Sequence, residues 1–274
     1  MTASPHFGLR TRLDRLFQSL RHRATLALSW RLVRWYGLGG YQQAWYLRRL
    51  LPLLKVDLLI DVGGNEGQFA RFVRRKVGYR GPMITFEPIP ELAKRLTLLA
   101  RSDPQWTVVN AALGQTRGQA EFHVTQSSPM SSLLKPSDAT TDRLSRFGAI
   151  ATSIPVEVDT LDNYLAAHPQ FSQCKNIYLK LDVQGFEKMV LEGAQASLTR
   201  VCALQAELSV IPIYEGQPDH QEMTRFLTDA GFVLSFIPAH DYQQFPEMID
   251  FDCHFVRRNR LESLGILRPG GSRP

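Results

Sequence analysis

The sequence predicts an α/β fold: a mostly parallel sheet with helices on both faces, closed by an antiparallel hairpin. Three observations predict it. From Leu58 onward short apolar runs alternate with segments of helical period; two of the runs, 58–61 and 83–87, end in an acid and turn directly toward helical sequence; and the last two extended runs, 232–237 and 250–257, read as a hairpin. With 274 residues, 44% of them hydrophobic, the chain can bury one sizeable core with additions at its ends. The expected organisation is a basic helical arm over 1–55, a main domain over 56–258 with an insertion at 115–157, and a flexible tail over 259–274.

Charge separates the arm from the rest. Residues 1–55 carry ten Lys/Arg against the single acid Asp14, whereas residues 56–274 carry 22 basic and 25 acidic residues. A slightly acidic main domain argues against a nucleic-acid substrate, whose binding face would be basic. Cys174, Cys202 and Cys253 are too few and too scattered for a disulfide framework, which suggests a reducing compartment.

Within the arm, Leu13, Leu16, Phe17, Leu20, Ala24, Ala27 and Leu28 recur at helical spacing and are surrounded by arginines, with Trp30, Trp35 and Tyr36 following. Such a helix over 9–36 can lie on an anionic membrane surface or pack across the main domain as a cap. It makes a poor signal peptide, an organellar transit peptide is a less favoured alternative, and no stretch reaches membrane-spanning length. The expected location is cytoplasmic, with peripheral contact at the inner membrane surface as the alternative. Gly37 to Gly40 break the arm, and a second helix, 42 to about 54, leads into the first strand.

The stretch LLIDVGGNEGQF, 58–69, reads as strand, tight turn and helix, the helix running to Val77. Gly63, Gly64 and Gly67 let the backbone approach a ligand closely, and the amides opening the helix are available to polar or anionic atoms. The glycines run G-G-x-x-G rather than the dinucleotide pattern G-x-G-x-x-G, so they do not fit a pyrophosphate well. Glu87 ends the second strand 26 positions after Asp61, and its two acceptor oxygens suit both hydroxyls of a ribose. Pro88 and a helix over 90–101 follow, then a third strand over 106–110.

Residues 115–157 break the alternation, with 120–124 and 156–158 extended and a Ser- and Pro-rich stretch at 126–137. This insertion should sit over the bound ligand. Ser128, Ser131 and Ser132 are candidates for binding acceptor hydroxyls, although for any one of them the role of turn or capping residue is the stronger reading. Asp159 or Thr160 caps the next helix.

The fourth strand, 176–182, is apolar until Lys180 and Asp182. Alternation puts residues 180, 182 and 184 on one side if the strand continues, at the carboxyl end where such sheets bind ligands. Asp182 is either a base at the reaction centre or the cap of the helix near Phe186. The fifth strand, 201–210, carries Glu207, which Lys180 on the neighbouring strand should neutralise or which binds a substrate hydroxyl. Tyr214 and Glu215 in the following loop suggest an acceptor lid. His254 in the last strand is a second candidate base or a core histidine. Asp182, Glu207, Asp250 and Asp252 could converge on a cation, but their spacing matches no recognised metal motif, and no metal is expected.

DVGGNEGQF, FEPIPE, NAALG (110–114), VDTLDNYL (158–165) and LKLDVQGFEKMVLEGA (179–194), in this order, resemble the FkbM-type methyltransferases. The resemblance covers roughly 56–258. It implies a Rossmann-like class I methyltransferase fold with a seven-stranded sheet, S-adenosylmethionine (SAM) as cofactor, and methylation of a hydroxyl on a glycan, glycolipid or related secondary metabolite. It implies cofactor contacts from Asp61, Gly63, Gly64, Asn65, Gly67, Gln68, Phe69, Glu87, Pro88, Asn110, Ala111 and Ala112, the last three beside the adenine. Asp182, Lys180 and His254 are then the catalytic candidates, and Ser131, Ser132, Gln184, Glu207 and Tyr214 the substrate candidates. The family commonly has Glu where this chain has Gln184, which keeps size and hydrogen bonding but removes a base. An NAD-binding oxidoreductase and a catalytically silent membrane-associated binding protein are the alternative functions.

Overall fold

The computed structural model describes residues 38–125, 130–137, 150–239 and 248–267. The arm expected at 9–36, Ser128 and the final seven residues lie outside the described residues. Helix α1 (Leu38–Leu53) enters first and buries Leu47, Leu50, Leu51 and the adjoining Leu54, a spacing that places all four on one face. Strand β1 (Leu58–Val62) follows, then helix α2 (Gln68–Phe72), which widens into a π-turn over Val73–Val77 and stops at Gly78. Next come β2 (Met83–Phe86), α3 (Pro90–Ala100) and β3 (Trp106–Val109).

The insertion builds a sheet of its own from β4 (Ala112–Leu113), β5 (Gly118–Thr125) and β6 (Ile150–Asp159), with β6 in the middle. Phe122, Val156 and Val158 form its small core. The sequence showed the centre of β5 but only the second half of β6, because β6 is mostly solvent-facing and buries alternate residues only there. Helix α4 (Leu161–Ala167) starts where Thr160 accepts a hydrogen bond from the Asn163 amide at 3.0 Å.

After β7 (Ile177–Leu181), α5 (Glu187–Glu192), α6 (Gln195–Leu198) and β8 (Val201–Ser209), helix α7 (His220–Asp229) leads to β9 (Phe232–Phe236) and β10 (Asp250–Arg257). The main sheet has the order β3-β2-β1-β7-β8-β10-β9, parallel except for β10, which is antiparallel to both neighbours. Every residue of β1, β2 and β7 is buried, as strands covered on both faces require. Alternate residues therefore feed two cores, Ile60 and Leu179 on one face and Leu59 and Tyr178 on the other.

One expectation fails at the C-terminus. Instead of a flexible tail from residue 259, β10 runs straight into helix α8 (Arg258–Ser263). Leu261 packs on the core, and the Arg258 amide bonds to the Gly231 carbonyl at 2.9 Å. The apolar contact supplies what the polar composition of the segment hides.

Chain order reverses between β1 and β7: β2 and β3 extend the sheet one way, β8 the other. A crevice opens at such a point, beyond the carboxyl ends of the strands. The loops after β1, β2, β7 and β8 meet there.

Candidate active site

The loop after β1 is fixed by its own backbone. The Gly63 and Gly64 amides both donate to the Phe86 carbonyl at 3.0 Å, and the Gly67 amide donates to Gly64 at 2.7 Å. The Glu66 amide donates to the Gln68 side chain at 3.1 Å, and the Asn65 amide to Glu87 Oε2 at 2.6 Å. The amides of 63–67 are thus already partnered within the protein, and what the loop itself offers a ligand is shape. Gly63 has φ +85°, and a Cβ on it would lie 1.9 Å from the Asp182 carbonyl oxygen. A Cβ on Gly64 would lie 2.3 Å from Thr85 Cγ2. These glycines let the strands and helix close beneath the crevice.

Glu87 is buried at the crevice floor, its Oε2 held by Asn65 and its Oε1 by the Ile89 amide at 2.8 Å. Burial pushes its carboxyl up to about 7, against the pull of those two amides. Each oxygen keeps a lone pair for a further donor. Asn110 does not face the crevice as expected; its amide donates to the Glu87 and Pro88 carbonyls at 2.9 and 3.0 Å and thereby shapes the turn after β2.

Lys180 lies between two carboxylates, 3.2 Å from Asp61 and 3.0 Å from Asp182, with the Phe69 ring centroid 5.4 Å away. Burial alone would depress Lys180, but Asp182 and Asp61 outweigh it and keep the ammonium charged. Burial likewise raises Asp61, and Lys180 opposes that rise. Two expectations change here. Lys180 neutralises Asp61 and Asp182 rather than Glu207, because in register it faces Asp61 on one side and Gln205 on the other. Asp61 is wholly buried under the loop and holds Lys180, so it does not face a ligand.

Glu207 is served by Gln184 instead. The Gln184 carboxamide nitrogen donates to Glu207 Oε2 at 2.9 Å and to Asp182 Oδ1 at 3.2 Å. Its backbone is left-handed, φ +53°, which turns the side chain back over the end of β7. Burial raises the Glu207 carboxyl well above its ordinary range, and Asp182, Asp250, Glu187 and Asp252 add to the rise. The alternative of Asp182 as a helix cap fails, since Glu187 takes the Val183 and Gly185 amides at 3.1 and 3.4 Å.

The loops converge as expected, but two of the proposed substrate contacts serve the protein itself. Ser132 donates to the Gln184 carbonyl at 2.7 Å and accepts from the Leu134 amide at 3.0 Å. Tyr214 is buried beside Gln184, its hydroxyl 2.8 Å from the Met130 carbonyl and 3.1 Å from the Gln184 carboxamide oxygen. The Glu215 amide bonds to the Lys135 carbonyl at 2.8 Å, so this loop clamps the segment 130–137 over the crevice.

His254 does not reach the crevice. It is fully buried under α1, its Nδ1 2.9 Å from the Tyr178 hydroxyl and its ring 5.0 Å from Tyr46. Burial lowers it to about 3, which makes it a neutral core residue and no candidate base.

The crevice is a cavity of about 230 Å³. Of the expected residues, Gly63, Asn65, Glu87, Pro88, Ala111, Ala112, Ser131, Asp182, Gln184 and Glu207 line it. Gly64, Gly67, Gln68 and Phe69 support it from behind and are not in its wall. Sequence reasoning missed its apolar wall, chiefly Phe86, Ile89, Leu92, Phe122 and Phe186. Phe86 and Ile89 flank the Glu87 turn and were legible there; Phe122 comes from the inserted sheet, whose position has no local signal. Among the described residues, no group of three or more His, Cys, Asp or Glu side chains gathers as a metal site.

A sheet of this order, with a glycine loop after its first strand, a buried acid after its second and the crevice between them, defines the Rossmann-like fold of class I methyltransferases. The model of the methyltransferase FkbM domain matches residues 61–234, and the chain belongs to that family. It is 26% identical over 227 residues, 78% of this chain and 85% of the relative, to the 2-O-methyltransferase NoeI of Sinorhizobium fredii. Among solved structures, it is similar to methyltransferase FkbM from Methylobacillus flagellatus KT, with a TM-score of 0.47 and 13% identity over 73% of this chain. This chain covers 43% of that one, less than half its length. It is also similar to the magnesium protoporphyrin IX methyltransferase of Synechocystis PCC 6803, solved with bound SAM, with a TM-score of 0.41, 10% identity and 80% of each chain covered.

Proposed function

We propose that this protein is a SAM-dependent O-methyltransferase acting on a hydroxyl of a glycan, glycolipid or related secondary metabolite. The observation that carries the reading is Glu87, a buried carboxyl fixed at both oxygens on the floor of a crevice beside the glycine loop. The crevice suits an adenosine group: Glu87 retains lone pairs for two ribose hydroxyls, Ala111 and Ala112 leave room for a flat ring, and Phe86, Ile89 and Leu92 supply apolar walls. The 2-O-methyltransferase relative supports an oxygen acceptor.

The cofactor supplies the electrophilic methyl group. The chain's task is to align the acceptor oxygen with it and to take the hydroxyl proton as the new bond forms. Asp182 suits the second role: it lines the crevice, its side chain is 44% exposed, and Lys180 holds its Oδ2 at 3.0 Å. Lys180 steadies this carboxylate from behind, buried and outside the lining of the crevice.

Incubating the protein with methyl-labelled SAM and fractionated glycans and glycolipids tests the reading. Label in an alkali-stable sugar methyl ether is expected. Label in N-methyl or ester products, or in none, contradicts it.

A further inference from the structure

Among the described residues, Gln184 is the one side chain hydrogen-bonded to Asp182, Glu207 and Tyr214 together. Because one nitrogen donates to both carboxyls, Asp182 Oδ1 and Glu207 Oε2 are held close and at a fixed angle. The phenolic hydrogen of Tyr214, shared between Gln184 Oε1 and the Met130 carbonyl, keeps the carboxamide oxygen on the far side. Ser132 fixes the backbone of the same residue through its carbonyl at 2.7 Å.

We propose that Gln184 is a positioning residue that joins Asp182 and Glu207 into one acceptor-reading unit, suited to a substrate with two neighbouring hydroxyl groups. The inference rests on the O-methyltransferase reading and names the acceptor chemistry within it.

The two carboxyls are chemically unlike. Asp182 is held by two donors, Lys180 at Oδ2 and Gln184 at Oδ1, so its place in the pair is that of an acceptor. Glu207 makes no ion pair with a basic side chain among the described residues and lies among Asp182, Asp250, Glu187 and Asp252, with the Tyr214 phenol also near. Burial and those acids favour its protonated form. Its Oε2 already accepts from Gln184, so the proton resides on Oε1. The pair therefore offers one acceptor and one donor side by side. A reacting hydroxyl donates to Asp182 while the oxygen of its neighbour accepts from Glu207. Glutamate at 184 could donate to one partner at most and would add a third carboxyl to the group.

The test uses full-length protein loaded with S-adenosylhomocysteine and carrying ¹³C-labelled Asp and Glu carboxyls, assigned with Glu207→Gln and Asp182→Asn. Wild type, Gln184→Leu and Gln184→Glu are titrated by NMR. The proposal expects Glu207 to titrate well above the ordinary glutamate range, and its midpoint to rise further in Gln184→Leu, which removes a donor that favours the charged form. In Gln184→Glu a further raised carboxyl should appear. Then trans-1,2-cyclohexanediol and cyclohexanol are added at matched concentrations. The diol should shift both carboxyl signals more than the mono-alcohol does, and the difference should vanish in Gln184→Leu. An unchanged Glu207 midpoint in Gln184→Leu, or equal responses to the two alcohols including none, overturn the proposal. Tyr214→Phe, which leaves Gln184 in place, should weaken the difference partially. Failure to bind S-adenosylhomocysteine would instead refute the methyltransferase reading, and the carboxyl titration can be read in the unloaded protein.

Discussion

The α-carbon of Gly63 packs so tightly on the backbone of Asp182 that a Cβ there would lie 1.9 Å from the Asp182 carbonyl oxygen. The glycine loop and the candidate base are therefore built against each other, at the point where β1 and β7 end. The Asp182 amide completes the join by donating to the Val62 carbonyl at 3.1 Å.

Gly63→Ala should separate this contact from the cost of a left-handed backbone alone. Gly216 also has positive φ, +73°, with nothing within 4 Å of its added Cβ. Gly216→Ala should cost about 1 to 2 kcal/mol from backbone conformation. Gly63→Ala should cost about 1 to 3 kcal/mol more from overpacking. Denaturant midpoints with unchanged slopes would check both, and equal losses at the two sites would contradict the packing argument.

Asp182→Asn should lower kcat by at least about 100-fold, the scale of general-base catalysis, with little change in affinity for S-adenosylhomocysteine. The carboxamide keeps the shape but cannot take a proton. Single-turnover methyl transfer and calorimetry measure the two quantities, and an active Asp182→Asn enzyme would remove Asp182 from the mechanism.

Glu87 and Glu187 give the folded protein a pH dependence. Burial pushes each from its ordinary value of 4.5 up to about 7, so between those values the native state holds more protons than the unfolded chain. Their joint effect is a loss of stability as pH rises through that window. In Glu87→Gln the Glu87 share of the loss should disappear, visible as a flatter dependence of the thermal midpoint on pH. Ligand binding should run the other way: ribose hydroxyls donate best to the ionised carboxylate, so affinity for S-adenosylhomocysteine should fall as pH drops below about 7.

His254→Phe should destabilise the fold by about 1 to 3 kcal/mol, since it leaves the buried Tyr178 hydroxyl with a poorer partner. The pH profile of kcat should not move, because His254 is remote from the crevice. A lost or shifted limb in that profile would return the histidine to the mechanism.

The sequence was most legible where local and global requirements coincide. The parallel strands are buried on both faces, so they read as unbroken apolar runs, and Asp61 and Glu87 mark their ends. Residue type could not show which way an acid at a strand end faces: Asp61 turns under the loop to Lys180, while Glu87 reaches the crevice floor. Lys180 was matched with the wrong carboxylate for a similar reason. Partner choice depends on cross-strand register, and a single sequence does not fix the register of β7 against β1 and β8. Gln184 looked like a departure from the family pattern, and its contacts to two acids became visible only through its left-handed backbone. The apolar wall from the insertion depends on how β5 and β6 dock, which composition does not encode.

Calorimetric titration with S-adenosylhomocysteine and, separately, NAD, on wild type and Glu87→Ala, measures both which cofactor the crevice holds and whether Glu87 holds it. Saturable binding of S-adenosylhomocysteine is expected, weakened at least about tenfold in Glu87→Ala by the loss of hydrogen bonds to a charged group, with no binding of NAD. Binding of NAD alone, or S-adenosylhomocysteine binding indifferent to Glu87, would contradict that expectation.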